Sequence, residues 1–312
     1  MKGSTCGWNI LRSTTMQVVS DPVLTERLKG HVYRLSHEIG NRDAFEHYQQ
    51  LEEAAGYITQ QLEASGYTVE SQGYHVEGRL VRNLIATKRG EALDEVVVVG
   101  AHYDSCFNPG ADDNASGVAA LLELAGLLKE EPLARTVKFI AFTSEEPPIF
   151  KTELMGSRIY AKAARARGEP IRAMLSLEMV GYYSDESGSQ RYPPLFGLFY
   201  PNRANFIAVV SNFRSAPLCR QVVQAFRRAS SVPLESINTF TWIPGVDWSD
   251  HWSFWQEAYP AVMITDTAYL RNPHYHAPTD TWETLDYGRM AAVVTGLRGV
   301  VAALATGKPE AS

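Results

Sequence analysis

The 312-residue chain has only three cysteines, Cys6, Cys106 and Cys219, which is too few for a disulfide framework, and none forms a C-x-x-C metal pair. Cys6 and Cys219 read as isolated thiols, whereas Cys106, two residues beyond Asp104, stays open. Positive charge is also short. Lys and Arg number 29 against 35 Asp and Glu, a formal net charge of -6 with no basic stripe to track a phosphate backbone, so no nucleic-acid partner is expected. No run approaches the roughly 18 to 20 consecutive apolar residues that a membrane span requires, and no membrane partner is expected either. The N-terminal stretch MKGSTCGWNILRSTTMQ lacks the apolar core of a secretory signal. The chain as written is therefore expected in the cytoplasm, with secretion or a periplasmic location implied only if a leader precedes Met1. The absence of a G-x-S-x-G elbow removes the usual serine hydrolase, and the absence of repeats and low-complexity linkers favours one domain.

A hydrophobic content of 45% is enough for one full-sized core. Residues 44–65 place Tyr48, Leu51, Ala55, Ile58 and Leu62 at three- and four-residue steps, an amphipathic helix closed by Gly66. Strands are expected at YTVESQGYHV, RNLIATK, EVVVVGAH and TVKFIAFTS, with the helical segment ASGVAALLELAGLLKE between the last two. The second half repeats this grammar: strand AMLSLEMVG, helix APLCRQVVQAFRRASS, strand AYPAVMITD and closing helix RMAAVVTGLRGVVAALAT. Residues 182–201, rich in turn formers and aromatics, read as an excursion from the sheet. Buried strands alternating with helices predict an α/β fold with a largely parallel sheet.

Polar clusters fall where ligands bind in such sheets, beyond the carboxyl ends of the strands. His102 and Asp104 follow VVVVGA, Glu145 and Glu146 follow FIAFTS, Glu178 sits late in AMLSLEMVG, and His276 lies in the loop after AVMITD. Asp112 and Asp113 open the helix after the first cluster, where the helix dipole favours negative charge. Carboxylates gathered at one edge repel unless cations intervene, and a carboxylate and imidazole set suits zinc or related ions. Taken singly, an Asp before a helix is usually a cap and a His is usually hydrogen-bonded; their joint placement after successive strands argues for a site.

The motifs AHYDS, GADDNASGVAALLELA, FTSEE, SLEMVG and YHAPTDT, in this order and spacing, resemble the M28 family of zinc metallopeptidases, mostly aminopeptidases. The resemblance runs from about residue 45 to the last helix. It implies a single domain over residues 21–308, after an extension of residues 1–20, with a mixed, mainly parallel central sheet flanked by helices and two co-catalytic zinc ions at its carboxyl edge. Carried over residue by residue, it makes His102, Asp113, Glu146, Glu178 and His276 metal ligands, with Asp113 bridging both ions. Asp104 would orient the His102 ring, Glu145 would be the general base, and Tyr275 would donate a hydrogen bond to the oxyanion. Asp112 is expected as structural support through an unusual Asp-Asp peptide geometry. The substrate implied is a peptide with a free N-terminus; nothing indicates an oligomeric state.

The sequence departs from the family pattern in two places. Position 178 is aspartate in many members, though glutamate remains an oxygen ligand, and the stretch EEPPIFKTELMGS is longer than the usual turn beside the base. A glutaminyl cyclotransferase, with the related fold but a single zinc, is the alternative; the pair Asp113–Asn114 favours the dinuclear peptidases. The Asn114-Ala115-Ser116 sequon lies inside the metal motif and is not expected to be modified. Ser249 or Asp250 is expected to cap the helix that follows, with His251 a further candidate for the substrate site. Trp242, Trp248, Trp252 and Trp255 either wall a pocket or fill the core.

Overall fold

The computed structural model describes residues 21–194 and 196–306; the expected extension over residues 1–20, with Cys6, lies outside the described residues. Helices α1 (Pro22–Tyr33) and α2 (Tyr48–Ala64) lead into a hairpin of β1 (Val69–Val76) and β2 (Arg79–Lys88). There follow β3 (Leu93–His102), α3 (Gly117–Leu128), β4 (Arg135–Phe142), α4 (Gly156–Ala166) and β5 (Ile171–Glu178). After a long loop come β6 (Ile207–Asn212), α5 (Ala216–Ala229), β7 (Leu234–Thr239), the short α6 (His251–Gln256), β8 (Ala261–Thr265) and α7 (Tyr287–Thr306).

The eight strands form one sheet in the order β1-β2-β4-β3-β5-β8-β6-β7. The central four, β4, β3, β5 and β8, run parallel, and β6 and β7 are also parallel to each other. The β1–β2, β2–β4 and β6–β8 pairings are antiparallel, so the fold is the mixed α/β single domain that the motifs imply. The unbroken apolar run of β3 is explained by its position. Val97, Val99 and Ala101 face the core under α1, α3 and α7, while Val96 and Val98 face the second core, which includes Tyr160 of α4 and Phe254 of α6. Fully burying each of these valines is worth about 1.5–3 kcal/mol. Gly100 is required here, because a Cβ would lie 2.4 Å from the Phe142 ring packed across the strand.

Helix α2 ends as expected: Gly66 adopts φ +82°, and the Gly66 and Tyr67 amides bond back to Glu63 and Leu62. Helix α7 is long and apolar, but Met290, Val293, Val294, Leu297, Val300 and Val301 are buried inside the protein, as in a core helix. Four elements lie outside the sequence-based expectation. The signal for α1 was present, since Asp21 precedes Pro22 and its side chain accepts the Val23 and Leu24 amides. Helix α4 buries Tyr160, Ala161 and Ala164 at helical spacing. Strands β6 and β7 are six residues each, and β7 at the sheet edge is only partly buried along most of its length, which weakens its pattern.

This topology positions the site. The chain leaves β3 through α3 to β4 on one side and returns through α4 to β5 on the other. Ligands collect where strand order reverses in this way, beyond the carboxyl ends of the parallel strands.

Candidate metal centre

His102 is the last residue of β3 and is fully buried. Its Nε2 lies 3.3 Å from Asp113 Oδ1 and 3.4 Å from Glu178 Oε2. Glu178 ends β5, the parallel neighbour of β3, and its Oε2 accepts a hydrogen bond from Ser249 Oγ at 2.7 Å. On the other side, His276 Nε2 lies 3.1 Å from Asp113 Oδ2 and 3.3 Å from Glu146 Oε2. The two oxygens of Asp113 thus face different imidazoles.

Asp113 is held in place by a buried lattice of backbone and side-chain bonds. Residues 111–116 form an irregular turn before α3, and the peptide bond Asp113–Asn114 is cis. The unusual peptide was expected between the two aspartates; it falls one bond later. Asn114 Nδ2 donates to the Leu177 carbonyl at 2.8 Å, and its Oδ1 accepts from the Gly117 and Met179 amides, each at 3.1 Å. These bonds occupy the amide, which is fully buried, so the sequon has no free acceptor. Asp280 Oδ1 and Oδ2 accept the Asp112 and Asp113 amides at 2.9 and 3.1 Å. Asp112, for its part, accepts from the Gly181 amide and from Asn272 Nδ2.

Glu145 and Glu146 follow β4 in a sharp turn in which Ser144 has φ +56°. Their backbone amides donate to Asp104 Oδ1 at 3.2 Å and Oδ2 at 3.1 Å. Asp104 faces His102 Nδ1 at 3.6 Å, an ion-pair distance beyond a normal hydrogen bond. Its nearest work is therefore to hold the turn that carries both glutamates, a role not legible in the sequence. The Tyr275 ring stacks on His276 with centroids 3.9 Å apart. Burial, followed by the nearby carboxylates, raises the Tyr275 phenol well above its ordinary value, so it stays a hydrogen-bond donor.

Five carboxylates, those of Asp104, Asp113, Glu145, Glu146 and Glu178, are at most 7% exposed in this space. Burial raises Glu145 well above the ordinary carboxylate range, raises Glu178, and raises Glu146 to about 7. Burial alone would depress the His102 imidazole, but Glu178, Glu145, Asp104 and Asp113 reverse this and raise it well above its ordinary value. Asp113 moves the other way: burial raises it, but His102 and His276 outweigh that and hold it below its ordinary value. Beneath the centre lies the fully buried Arg42, whose guanidinium donates to the carbonyls of Leu35, Gly40, Tyr103, Pro109 and Gly110. Burial lowers it to about 10, leaving it charged. It neutralises part of the field without making a hydrogen bond to a carboxylate.

These donors fit divalent metal. Both His102 nitrogens and Glu146 Oε1 are buried without a hydrogen-bond partner. Ligand atoms around a tetrahedral ion with bonds of about 2.0–2.1 Å lie about 3.3 Å apart, the spacing of the Nε2 and carboxylate pairs above. His102, Asp113 and Glu178 form one group able to hold an ion; a second, Cys106, Glu146 and His276, lies on the other side, and Glu145 and Glu146 also approach His102.

An apolar cavity of about 130 Å³ opens beside Glu178 and Tyr275, lined in part by Tyr192, Phe206, Ile237, Met263, Trp248 and Tyr269. Trp248 therefore walls a pocket. Trp252 and Trp255 pack against the cores, with Trp255 Nε1 donating to the Ala261 carbonyl, and Trp242 is exposed. The expected cap at α6 does not form through Asp250, whose side chain makes no capping bond. Ser249 is occupied instead by Glu178 and by Ser176 Oγ. His251 is fully buried, donates from Nε2 to the Val246 carbonyl, and is pushed down to about 4 by burial, so it serves the core. In the longer loop after the glutamates, Lys151 pairs with Asp247 at 2.7 Å, tying it to the segment before α6.

The chain is similar to known proteins in sequence and, for solved structures, in fold. It is 41% identical over 282 residues to the uncharacterized protein YfbL of Escherichia coli (strain K12), covering 87% of this chain and 86% of that one. It is 30% identical over 223 residues to a probable leucine aminopeptidase of Trichophyton verrucosum, covering 67% of this chain and spanning about half, 53%, of that relative's length. Among solved structures, BSAP, a zinc aminopeptidase from Bacillus subtilis, superposes with a TM-score of 0.73 at 16% identity, covering 92% of this chain and 97% of that one. Bacteroides thetaiotaomicron glutaminyl cyclase superposes with a TM-score of 0.68 at 19% identity, covering 91% and 98%. These two likenesses are of fold. The family model for peptidase family M28 matches residues 83–301, the span that carries every carboxylate and imidazole of the centre, and the chain belongs to that family.

Proposed function

We propose that the protein is a dinuclear zinc aminopeptidase that hydrolyses the first peptide bond of peptides with a free N-terminus. The observation that carries this reading is the division of Asp113, with Oδ1 3.3 Å from His102 Nε2 and Oδ2 3.1 Å from His276 Nε2. One carboxylate serving two imidazoles suits two ions. His102, Asp113 and Glu178 would hold one, and Asp113, Glu146 and His276 the other. When bound, the ions supply Lewis acidity to the scissile carbonyl and make a nearby water acidic enough to attack it at neutral pH.

The remaining steps belong to the protein. Glu145 takes the proton of the attacking water and passes it to the departing amine nitrogen. The Tyr275 hydroxyl donates to the developing oxyanion. Negative charge from Glu145 and Glu178 favours a substrate α-ammonium nearby, and the apolar cavity beside Glu178 takes an apolar first side chain. Asp104 positions Glu145 and Glu146 through their amides.

Mass spectrometry of zinc-loaded protein with peptides beginning in Leu, Phe, Ala, Lys or Gln tests the reading, with Glu145→Gln as control. Stepwise loss of one N-terminal residue, fastest for Leu and Phe and slowed about 10²–10⁴-fold in the variant, is expected. Loss of ammonia alone from the Gln peptide would replace this reading with the cyclotransferase. Normal turnover by Glu145→Gln would mean that the base is another residue.

A further inference from the structure

The centre has one donor that the M28 resemblance does not supply. Cys106 lies on the loop between β3 and the Ala111–Ser116 turn, and its side chain is half-buried. Ligand atoms of Cys106, Glu146 and His276 all lie within 4.8 Å of one another. Glu146 is only 5% exposed, and its Oε1 has no hydrogen-bond partner. A sulfur, an imidazole nitrogen and a buried carboxylate with one unpartnered oxygen thus share one small volume. The group on the opposite side, His102, Asp113 and Glu178, offers only nitrogen and oxygen.

We propose that Cys106 is a protein ligand of the metal ion on the His276 side. This rests on the metallopeptidase reading and adds to it that the two metal positions differ in chemistry. Ligation replaces the S–H bond with a sulfur–metal bond and releases the proton to solvent, so metal uptake on this side liberates one more proton than oxygen ligation would. A thiolate favours zinc over the harder manganese or magnesium, so the His276 side is the more selective for zinc. It also shields the thiol, because a metal-bound sulfur is a poorer nucleophile than a free thiolate.

Cobalt(II) provides a probe that needs no turnover. Titrated into the metal-free full-length chain, it should produce an intense near-ultraviolet band from thiolate-to-cobalt charge transfer. Cys106→Ser should lose that band while still binding cobalt through the remaining ligands. In the unaltered protein, zinc should block iodoacetamide labelling of Cys106, read by peptide mass spectrometry, and leave the labelling of buried Cys219 unchanged. This second readout does not depend on how well the variant folds. Cobalt spectra identical in the two proteins, or equal labelling of Cys106 with and without zinc, would overturn the proposal while leaving the aminopeptidase reading intact. Failure of the unaltered protein to bind cobalt or zinc at all would overturn both.

Discussion

Asp104→Ala removes one small carboxylate, and the structure predicts losses at two levels. The two Asp104 oxygens accept the Glu145 and Glu146 amides at 3.2 and 3.1 Å in a turn where both glutamates are nearly inaccessible. Each buried amide left without a partner costs about 1–3 kcal/mol, so the metal-free protein should lose about 2–6 kcal/mol, less whatever is relieved by removing one charge from a crowded acidic centre. Asp104→Asn keeps one carbonyl acceptor and should lose about half as much. At the metal level, Glu146 is no longer fixed and the charge 3.6 Å from His102 Nδ1 disappears. Loss of such supporting contacts typically costs about 10–100-fold in metal affinity. Urea unfolding of chelated protein would measure the first effect and zinc titration calorimetry the second. An alanine variant with an unchanged unfolding midpoint and unchanged zinc affinity would refute the argument that Asp104 holds the turn.

Metal-free protein should lose stability as pH rises. Burial pushes Asp250 up to about 7 and Asp280 up to about 8, so the native state binds more protons than the unfolded chain from about pH 4 upward. The stabilisation they give is complete below the ordinary aspartate pKa and is lost as pH climbs through their native values. Melting temperatures in chelator should therefore fall between about pH 5.5 and about pH 8.5, while the gain from added zinc grows over the same interval because ligation displaces protons. A chelated protein that became more stable toward the alkaline end would contradict this. Gly117→Ala would place a Cβ 2.3 Å from Asn114 Oδ1 and 2.7 Å from the Leu177 carbonyl. A loss of about 1–3 kcal/mol is expected, together with weakened zinc binding as the Asn114 contacts shift under Asp113. Unchanged melting temperature and zinc affinity would show that these contacts do not shape the bridging position.

Much of the fold was legible because it depends on local pattern. The β-branched run of β3, the helical spacing of α2 and the α3 stretch after GADDN each carry their own period, and these are the elements around the centre. Among the elements without a forecast, β6 and β7 are short strands toward one edge of the sheet, where β7 meets solvent and its pattern is diluted, whereas α1 and α4 carry local helix signals of their own, the Asp21–Pro22 start and the spacing of Tyr160, Ala161 and Ala164. The candidate residues were legible for a related reason. Parallel strands deliver their carboxyl ends to one edge, so polar residues just after successive strands must meet there.

The partners of those residues were not legible. Arg42 reaches the loop of Pro109 and Gly110 from 67 and 68 positions away, and Asp280 reaches the amides of Asp112 and Asp113 across 168 and 167 positions. Ser249 meets Glu178 at a separation of 71 residues, and no periodicity links such pairs. The same holds for the apolar cavity, whose walls come from the 182–201 excursion, β6, β7, β8 and the loops beside them. The sequence by itself determined the α/β alternation and the residues at the strand ends, because short-range sterics and hydrophobic period write these along the chain, and its ordered motifs carried the resemblance to the family. Only tertiary structure decided that the oxygens of Asp113 face two different imidazoles, that Asp104 grips the glutamate turn, and that Cys106 stands beside His276 and Glu146. Those facts are distances between groups remote in the chain, and they arise only when packing of the sheet and its helices brings the loops together.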